Sequence, residues 1–177
     1  MNTIDPGKVR IVNTIPDDLT FIYWLFEEAI RYQKKNGYPA WKGYDKNALR
    51  SEMDRGLQYK VQRDAEILAM FSISYTDPAT WGEWDTGKAL YLHRCITNPH
   101  FKGQRTFENI RSWAIQFAKD KGLDFLRIDT WTDNPTIIEF YGNYGFTVVA
   151  HRTTPDSPEL PEQNRNLRVT LMEMKVP

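Results

Sequence analysis

Apolar positions recur along this chain at two spacings, and the switches between them mark out its elements. Residues 89–97 alternate, with Leu90, Leu92 and Ile96 on one side and Tyr91, His93, Cys95 and Thr97 on the other. That predicts a strand, ended by Pro99, which cannot donate to a ladder. From about Arg105 to Lys121 the period becomes helical: Phe107, Ile110, Trp113, Ala114, Phe117 and Ala118 form one stripe, and Gly122 stops it. Phe125–Trp131 alternates again, with Leu126 and Ile128 inward and Arg127 and Asp129 outward. Asn134 then offers an N-cap with Pro135 at the first helical position, Ile137, Ile138 and Tyr141 line the helix, and Gly145 ends it before Phe146. A strand–turn–helix–strand unit closes by a right-handed crossover, so 89–97 and 125–131 are expected to be parallel neighbours.

The flanking segments follow the same rules. Val9–Ile15 reads as a strand. Pro16-Asp17-Asp18 opens a helix whose apolar face is Ile22, Leu25, Phe26, Ala29 and Ile30, stopped by Gly37. Asp45 caps a second, short helix carrying Ala48, Leu49 and Met53, closed by Gly56. Two strands, 57–62 and 66–75, turn at Arg63-Asp64-Ala65, and residues 76–87 read as a loop. Thr147–His151 and Leu167–Lys175 are the last strands, joined by a long polar loop, 152–166, that holds three prolines. The order β-α-α-β-β-β-α-β-α-β-β predicts a mixed α/β (α+β) architecture, a central mixed sheet flanked by helices, in a single domain spanning 1–177.

Composition narrows the classes of function. A length of 177 residues with 41% apolar content suits one domain with a sizeable core. Lys+Arg and Asp+Glu are both 23, and such balance gives no basic excess for nucleic acid. One cysteine forbids an internal disulfide and points to a reducing, cytoplasmic setting. Met1–Arg10 has no apolar core of a signal peptide, and no run approaches the roughly 18 apolar residues of a membrane span, so no membrane partner is expected.

Four places carry candidate chemistry. The amides opening the 105–121 helix point out at the sheet edge and form an anion site. Cys95, with His93 two residues away on the same predicted strand face, has the ingredients of a nucleophile and base, although a lone cysteine is more often a small buried thiol. Asn134 and Tyr141 are seven residues apart, two helical turns on one face. Glu83 and Asp85 flank Trp84 in a loop able to hold a cationic amine, or simply to cover the surface. No metal-ligand set is expected.

The Asn-Pro-His-Phe-Lys-Gly run at 98–103, Asn134 followed by Phe140-Tyr141, and Gly145-Phe146 resemble the GNAT superfamily of acyl-CoA-dependent N-acyltransferases. The element order is similar too, including the two N-terminal helices. The resemblance implies acetyl-CoA as co-substrate and a small-molecule or peptide amine as acceptor, and it is compatible with a homodimer. It also implies cofactor contacts from Cys95, Ile96 and Thr97, and from the turn Lys102, Gly103, Gln104, Arg105, Thr106 and Phe107. In the family that turn reads roughly Arg/Gln-x-x-Gly-x-Gly/Ala, so Arg105 and Phe107 stand where small residues are usual. Asn134 corresponds to a contact with the pantetheine arm and Tyr141 to the acid that protonates the departing thiolate. Glu83, Asp85 and Trp41 are the expected acceptor-side residues, with Glu27, Glu28 and Tyr32 in the same region. The expected reaction is direct attack of the amine on the thioester. Arg105 and Phe107 also leave a non-catalytic acyl-CoA-binding or ligand-sensing module open, and a fold that has lost its cofactor is a third reading.

Overall fold

The two periods are realised as a single sheet with helices on both faces. The computed structural model describes residues 7–177. Part of the Met1–Arg10 segment, on which the expectation of no signal peptide rests, lies outside them. The strands are β1 (Val9–Asn13), β2 (Gln58–Arg63), β3 (Glu66–Ser74), β4 (Ala89–Thr97), β5 (Phe125–Trp131), β6 (Thr147–Thr153) and β7 (Arg168–Lys175). The α-helices are α1 (Leu19–Lys35), α2 (Lys46–Asp54), α3 (Pro78–Trp81), α4 (Thr106–Asp120) and α5 (Pro135–Asn143). The sheet order is β1-β2-β3-β4-β5-β7-β6. Only the β4–β5 pair is parallel, as the crossover requires; every other neighbour is antiparallel. Strand ends move from the predicted ones by one or two residues. One segment differs in kind. Residues 76–87, expected as a loop, contain α3 and a 3₁₀ turn at Gly82–Trp84. The reason is local: the Asp77 side chain accepts from the Thr80 amide, and Pro78 occupies the first helical position.

The helices divide the core. α4 and α5 cover one face, where Leu90, Leu92, Leu126, Ile128, Met172 and Met174 meet Phe107, Ile110, Ala114 and Tyr141. On the other face α1 and α2 lay Ile22, Leu25, Phe26 and Leu49 against Met70 and Ile96. α3 completes that second face with Trp81 over Tyr91, Val169 and Leu171. Among the described residues no helix is long and apolar enough to cross a membrane.

β4 does not keep the strict alternation its sequence suggests. Ser72 pairs with His93 and Met70 with Ile96, so Arg94 and Cys95 both stand opposite Phe71. Arg94 takes φ +52° to make this bulge. The extra residue reverses the phase, so Cys95 packs toward α4 and α5 while Ile96 joins the α1 side. The expectation that Cys95 and His93 share a strand face, and that Ile96 sides with Leu90 and Leu92, is corrected accordingly.

β4 and β5 pair over only three positions, Ala89–Phe125, Leu90–Leu126 and Tyr91–Arg127. Beyond them β4 stays with β3 as far as Thr97, and β5 stays with β7 as far as Trp131. Each strand is held by its outer neighbour while it leaves its inner one, and a wedge opens between them. The last rung is clamped. Arg127, 5% exposed, donates to Glu173 at 3.0 Å and to the Tyr91 hydroxyl at 3.1 Å, and also bonds the Trp84 carbonyl. Tyr91 in turn donates to Asp85 at 2.7 Å. A buried guanidinium satisfied on all these sides stabilises the joint, and removing a partner would strand a charge.

Phe107, placed in a turn where a small residue was the pattern, is 5% exposed and packs its ring against Phe140, Tyr141, Tyr144 and Phe146. Phe107→Ala should therefore lower the unfolding free energy by about 3–5 kcal/mol in denaturant titrations; a change under about 1 kcal/mol would mean that this aromatic cluster is not part of the core.

Candidate active site

The site begins at the turn between β4 and α4. Asn98 is buried, accepts from the His100 amide at 3.0 Å and donates to the Ile67 carbonyl at 2.8 Å, which fixes how the chain leaves β4. Gly103 has φ +85° and Arg105 φ +54°, two left-handed residues that swing the backbone into the helix. Phe107 turns its ring inward, so its side chain does not block the backbone. Among the described residues no backbone carbonyl accepts from the amides of Gly103, Arg105, Thr106 or Phe107. These donors, with the α4 dipole behind them, suit a phosphate. Thr106 is tied to Thr97 by a 3.0 Å hydroxyl contact that holds the turn to the end of β4.

The side chains of the turn do different things. Arg105 is exposed and pairs with Glu108 at 2.8 Å. Gln104 accepts from Arg63 at 3.1 Å. Lys102 leans over the Tyr32 ring of α1, its Nζ 4.6 Å from the centroid. Beside the turn an open cleft of about 590 Å³ is lined by Arg105, Glu108, Arg111, Phe140, Asn143, Tyr144 and Gly145. The Arg111 Nε in it is buried and has no hydrogen-bond partner. Arg111 lines this cleft on the helix whose first amides are free, and a guanidinium there could pair with an anion.

α5 places the second group. Asn134 is 5% exposed and caps the helix by accepting from the Ile137 amide at 3.3 Å. Two turns on, Tyr141 is 9% exposed against Phe107, Phe140 and Phe146. Burial raises its phenol pKa, and the neighbouring Cys95 and Asp129 raise it further, so the proton stays on at neutral pH. The Cys95 thiol is pushed up to about 12 by burial alone. It is a thiol, not a thiolate, and the bulge has turned it away from His93. Both facts disfavour the nucleophile reading. Cys95, Ile96 and Thr97 form the part of β4 whose inner edge faces no strand, because β5 has parted from it.

On the opposite sheet face the wedge brings together three groups from three elements. One ligand-capable atom each of Asp77, His93 and Asp129 lie within 4.8 Å of one another. The tautomer of His93 follows from its neighbour: Ser74 Oγ donates to the Thr76 carbonyl at 3.0 Å, so across the 2.9 Å contact it accepts from Nε2–H. Nδ1 then carries the lone pair. Burial, with the charge of Arg94, holds the His93 pKa down to about 3, so the ring is neutral. The carboxyl of Asp129 is pushed up to about 7, chiefly by burial and then by Asp77, with Arg94 opposing. Arg94 itself is bonded to Glu52 of α2.

Asp85, expected on the acceptor side, has another task. Its carboxylate accepts from Thr76 at 2.5 Å, from the Asp77 amide at 2.9 Å and from Tyr91 at 2.7 Å. Burial opposes ionisation, but these bonds keep its pKa below the usual value. Glu83 lies exposed beside it. Trp41 stacks between Phe26 and Trp131, with centroids 5.5 and 6.1 Å away, at the mouth of the wedge. Glu27 accepts from Tyr44 at 2.9 Å, and Glu28 is bonded to Arg31. The sequence reading treated Asp129 only as an outward strand residue and passed over Asp77 and Arg111. One signal was available: a parallel strand is covered on both faces, so an acid in its middle is out of place unless it has work.

The sequence of residues 19–146 matches the Acetyltransferase (GNAT) family. With more than half its length matched, the chain belongs to that family. Structural similarity agrees. An acetyltransferase of the GNAT family from Listeria monocytogenes superposes with a TM-score of 0.73 at 20% identity, covering 98% of both chains. The ribosomal-protein-S18-alanine N-acetyltransferase of Escherichia coli gives 0.65 at 14% identity, over 96% of this chain and 94% of that one. The yncA protein of Salmonella typhimurium, solved with its cofactor acetyl-CoA, gives 0.64 at 17%, over 96% and 94%. At such identities the likeness is one of fold. A comparison with curated proteins gave no match.

The Asp129 environment has a consequence for stability. The folded protein holds the proton on Asp129 up to about pH 7, whereas the unfolded chain releases it near the ordinary carboxyl value of 3.8. Stability is therefore lost as pH rises between those values and stays lost above pH 7. Asp129→Asn should raise the melting temperature at pH 8, and the gain should shrink as pH falls through 7 and vanish near pH 4. A pH-independent difference would contradict the assigned environment.

Proposed function

We propose that the chain is an N-acetyltransferase, active as one domain over residues 1–177, that moves an acetyl group from acetyl-CoA to a primary amine by direct attack. The observation that carries this is the wedge between β4 and β5, with free amides in the turn that leaves β4 and Tyr141 on α5. Gly103, Arg105, Thr106 and Phe107 amides, with Arg111, would hold the phosphates. Asn134, its amide nitrogen not engaged by the cap, would meet the pantetheine arm. The free inner edge of β4 at Cys95–Thr97 would hold the thioester carbonyl and polarise it. When bound, the co-substrate supplies the activated acyl group; the protein supplies alignment and proton placement.

Tyr141 suits the acid. Its phenol keeps its proton at neutral pH and gives it only to a strong acceptor, such as sulfur gaining charge as its bond to carbon breaks. The inward turn of Phe107 removes the steric ground for a non-catalytic module. Acetyl-CoA is supported by the fit of the turn, and the spermidine N-acetyltransferase chimera and the alanine N-acetyltransferase among the similar structures illustrate small-molecule and peptide acceptors in proteins of this fold.

Tyr141→Phe keeps the ring and its packing. It should lower kcat on an accepted amine by roughly 10²–10⁴-fold, while calorimetry finds acetyl-CoA binding unchanged. The loss should narrow for thioesters of more acidic thiols. Full turnover by the variant would remove Tyr141 from the mechanism, and absence of acetyl-CoA binding by the wild type at millimolar concentration would remove the activity.

A further inference from the structure

Seven carboxylates in the described residues are buried or half-buried: Asp18, Glu28, Glu52, Asp77, Asp85, Asp129 and Glu173. Six have a hydrogen-bonding or ionic partner. Asp18 accepts from Lys60, Glu28 from Arg31, Glu52 from Ser72 and Arg94, Asp77 from Thr80, Asp85 from Tyr91, and Glu173 from Arg127. Among the described residues, Asp129 alone has no partner on another residue; its own backbone amide is its one donor. A half-buried carboxylate held by its own amide alone costs stability, since little repays its desolvation. Such groups persist where they act on something that arrives.

The place of Asp129 says what arrives. It stands on β5 two residues past Arg127, the last residue paired with β4, so its side chain enters the wedge as soon as the wedge exists. Its face is that of α1–α3, opposite the Phe107–Tyr141 cluster, yet Tyr141 feels its charge through the gap. We propose that Asp129 is the base that takes the proton from the acceptor's ammonium group in the gap between β4 and β5. The inference rests on the acetyl-transfer reading above.

The surrounding groups fit that task. Asp77 from the α3 cap and His93 from β4 come within 4.8 Å. The neutral His93 does not cancel the charge of Asp129. Arg94, also on β4, is occupied by Glu52 from α2, and Arg127 on β5 by Glu173 and Tyr91. Cys95 and Tyr141 face the gap from the other side, both protonated. Two acids beside a neutral imidazole favour a cation. The raised proton affinity of Asp129 brings it near neutral pH, where a base works best. Asp77 and Arg94 are positioning residues that act on Asp129.

In the step itself, one N–H proton passes from R–NH₃⁺ to the Asp129 carboxylate. The freed lone pair forms the N–C bond to the thioester carbonyl carbon, and the carbonyl pair moves to oxygen. It returns as the C–S bond breaks. The sulfur takes the Tyr141 proton, and the phenolate recovers one from the acylated nitrogen. The proton on Asp129 leaves to water.

The test is the pH profile of kcat/KM for an amine accepted by the full chain. Wild type should show an acidic limb near pH 7. Asp129→Asn should lose that limb and fall by roughly 10²–10⁴-fold at pH 7, with acetyl-CoA affinity and the folded state intact. Asp77→Asn removes a neighbouring negative charge and should move the limb to lower pH, which a merely structural role would not do. If wild type is active and Asp129→Asn keeps its rate and its limb, Asp129 is not the base, and the acetyl-transfer reading stands. If wild type binds acetyl-CoA but acetylates no amine in a broad panel, that reading falls and this one with it.

Discussion

The rest of the site depends on the last rung between β4 and β5. Parallel strands that stayed paired would fill the space proposed for the thioester. Here pairing stops at Tyr91 and Arg127, and the stop is enforced from both sides. The Arg127–Tyr91–Asp85–Glu173 network clamps the joint, and the bulge at Arg94 turns β4 away. β3 and β7 keep the parting strands rigid. A gap made this way keeps the outer edges of β4 and β5 paired, and the edges they free face the opening.

That geometry also sorts protons. One side of the gap, under α4 and α5, is aromatic and dry, and it holds Tyr141 and Cys95 in their protonated forms. The other side, under α3, gathers Asp77, His93 and Asp129. Burial pushes phenol, thiol and carboxyl alike upward, but from different starting values. The phenol stays a donor at every physiological pH, while the carboxyl is carried only as far as neutrality. One physical effect thus sets the proton affinities of the proposed acid and the proposed base, on opposite walls of a single opening.

Much of this was legible in the residues. Alternation at 89–97 and 125–131, the helical stripe from Phe107 to Ala118 and the Asn134-Pro135 start predict a crossover unit, and the sheet contains it. The turn with free amides, where the anion site is proposed, was readable from Gly103 and its place before a helix. What escaped was non-local. A strict period of two cannot show the Arg94 bulge, because the extra residue is detectable only against β3, and it moves Cys95 across the sheet. Phe107 looked obstructive because a turn position says nothing about where a side chain finds its core. Asp85 looked like an amine ligand because its partners Thr76 and Tyr91 are brought to it by a loop whose helical turn was missed. Asp129 was visible as a polar residue in a covered strand, but its lack of a partner on another residue is a property of the whole fold.

The central claim is that acetyl-CoA is held along the wedge, from the turn before α4 to the inner edge of β4. Amide hydrogen exchange reads it directly. The amides of Gly103, Arg105, Thr106 and Phe107, which no backbone carbonyl accepts from, should exchange fast in the free protein. Saturating acetyl-CoA should slow them, together with those of residues 95–97 on β4, and leave β1 and β6 unchanged. Protection that appears elsewhere while 103–107 and 95–97 exchange as before would contradict the account.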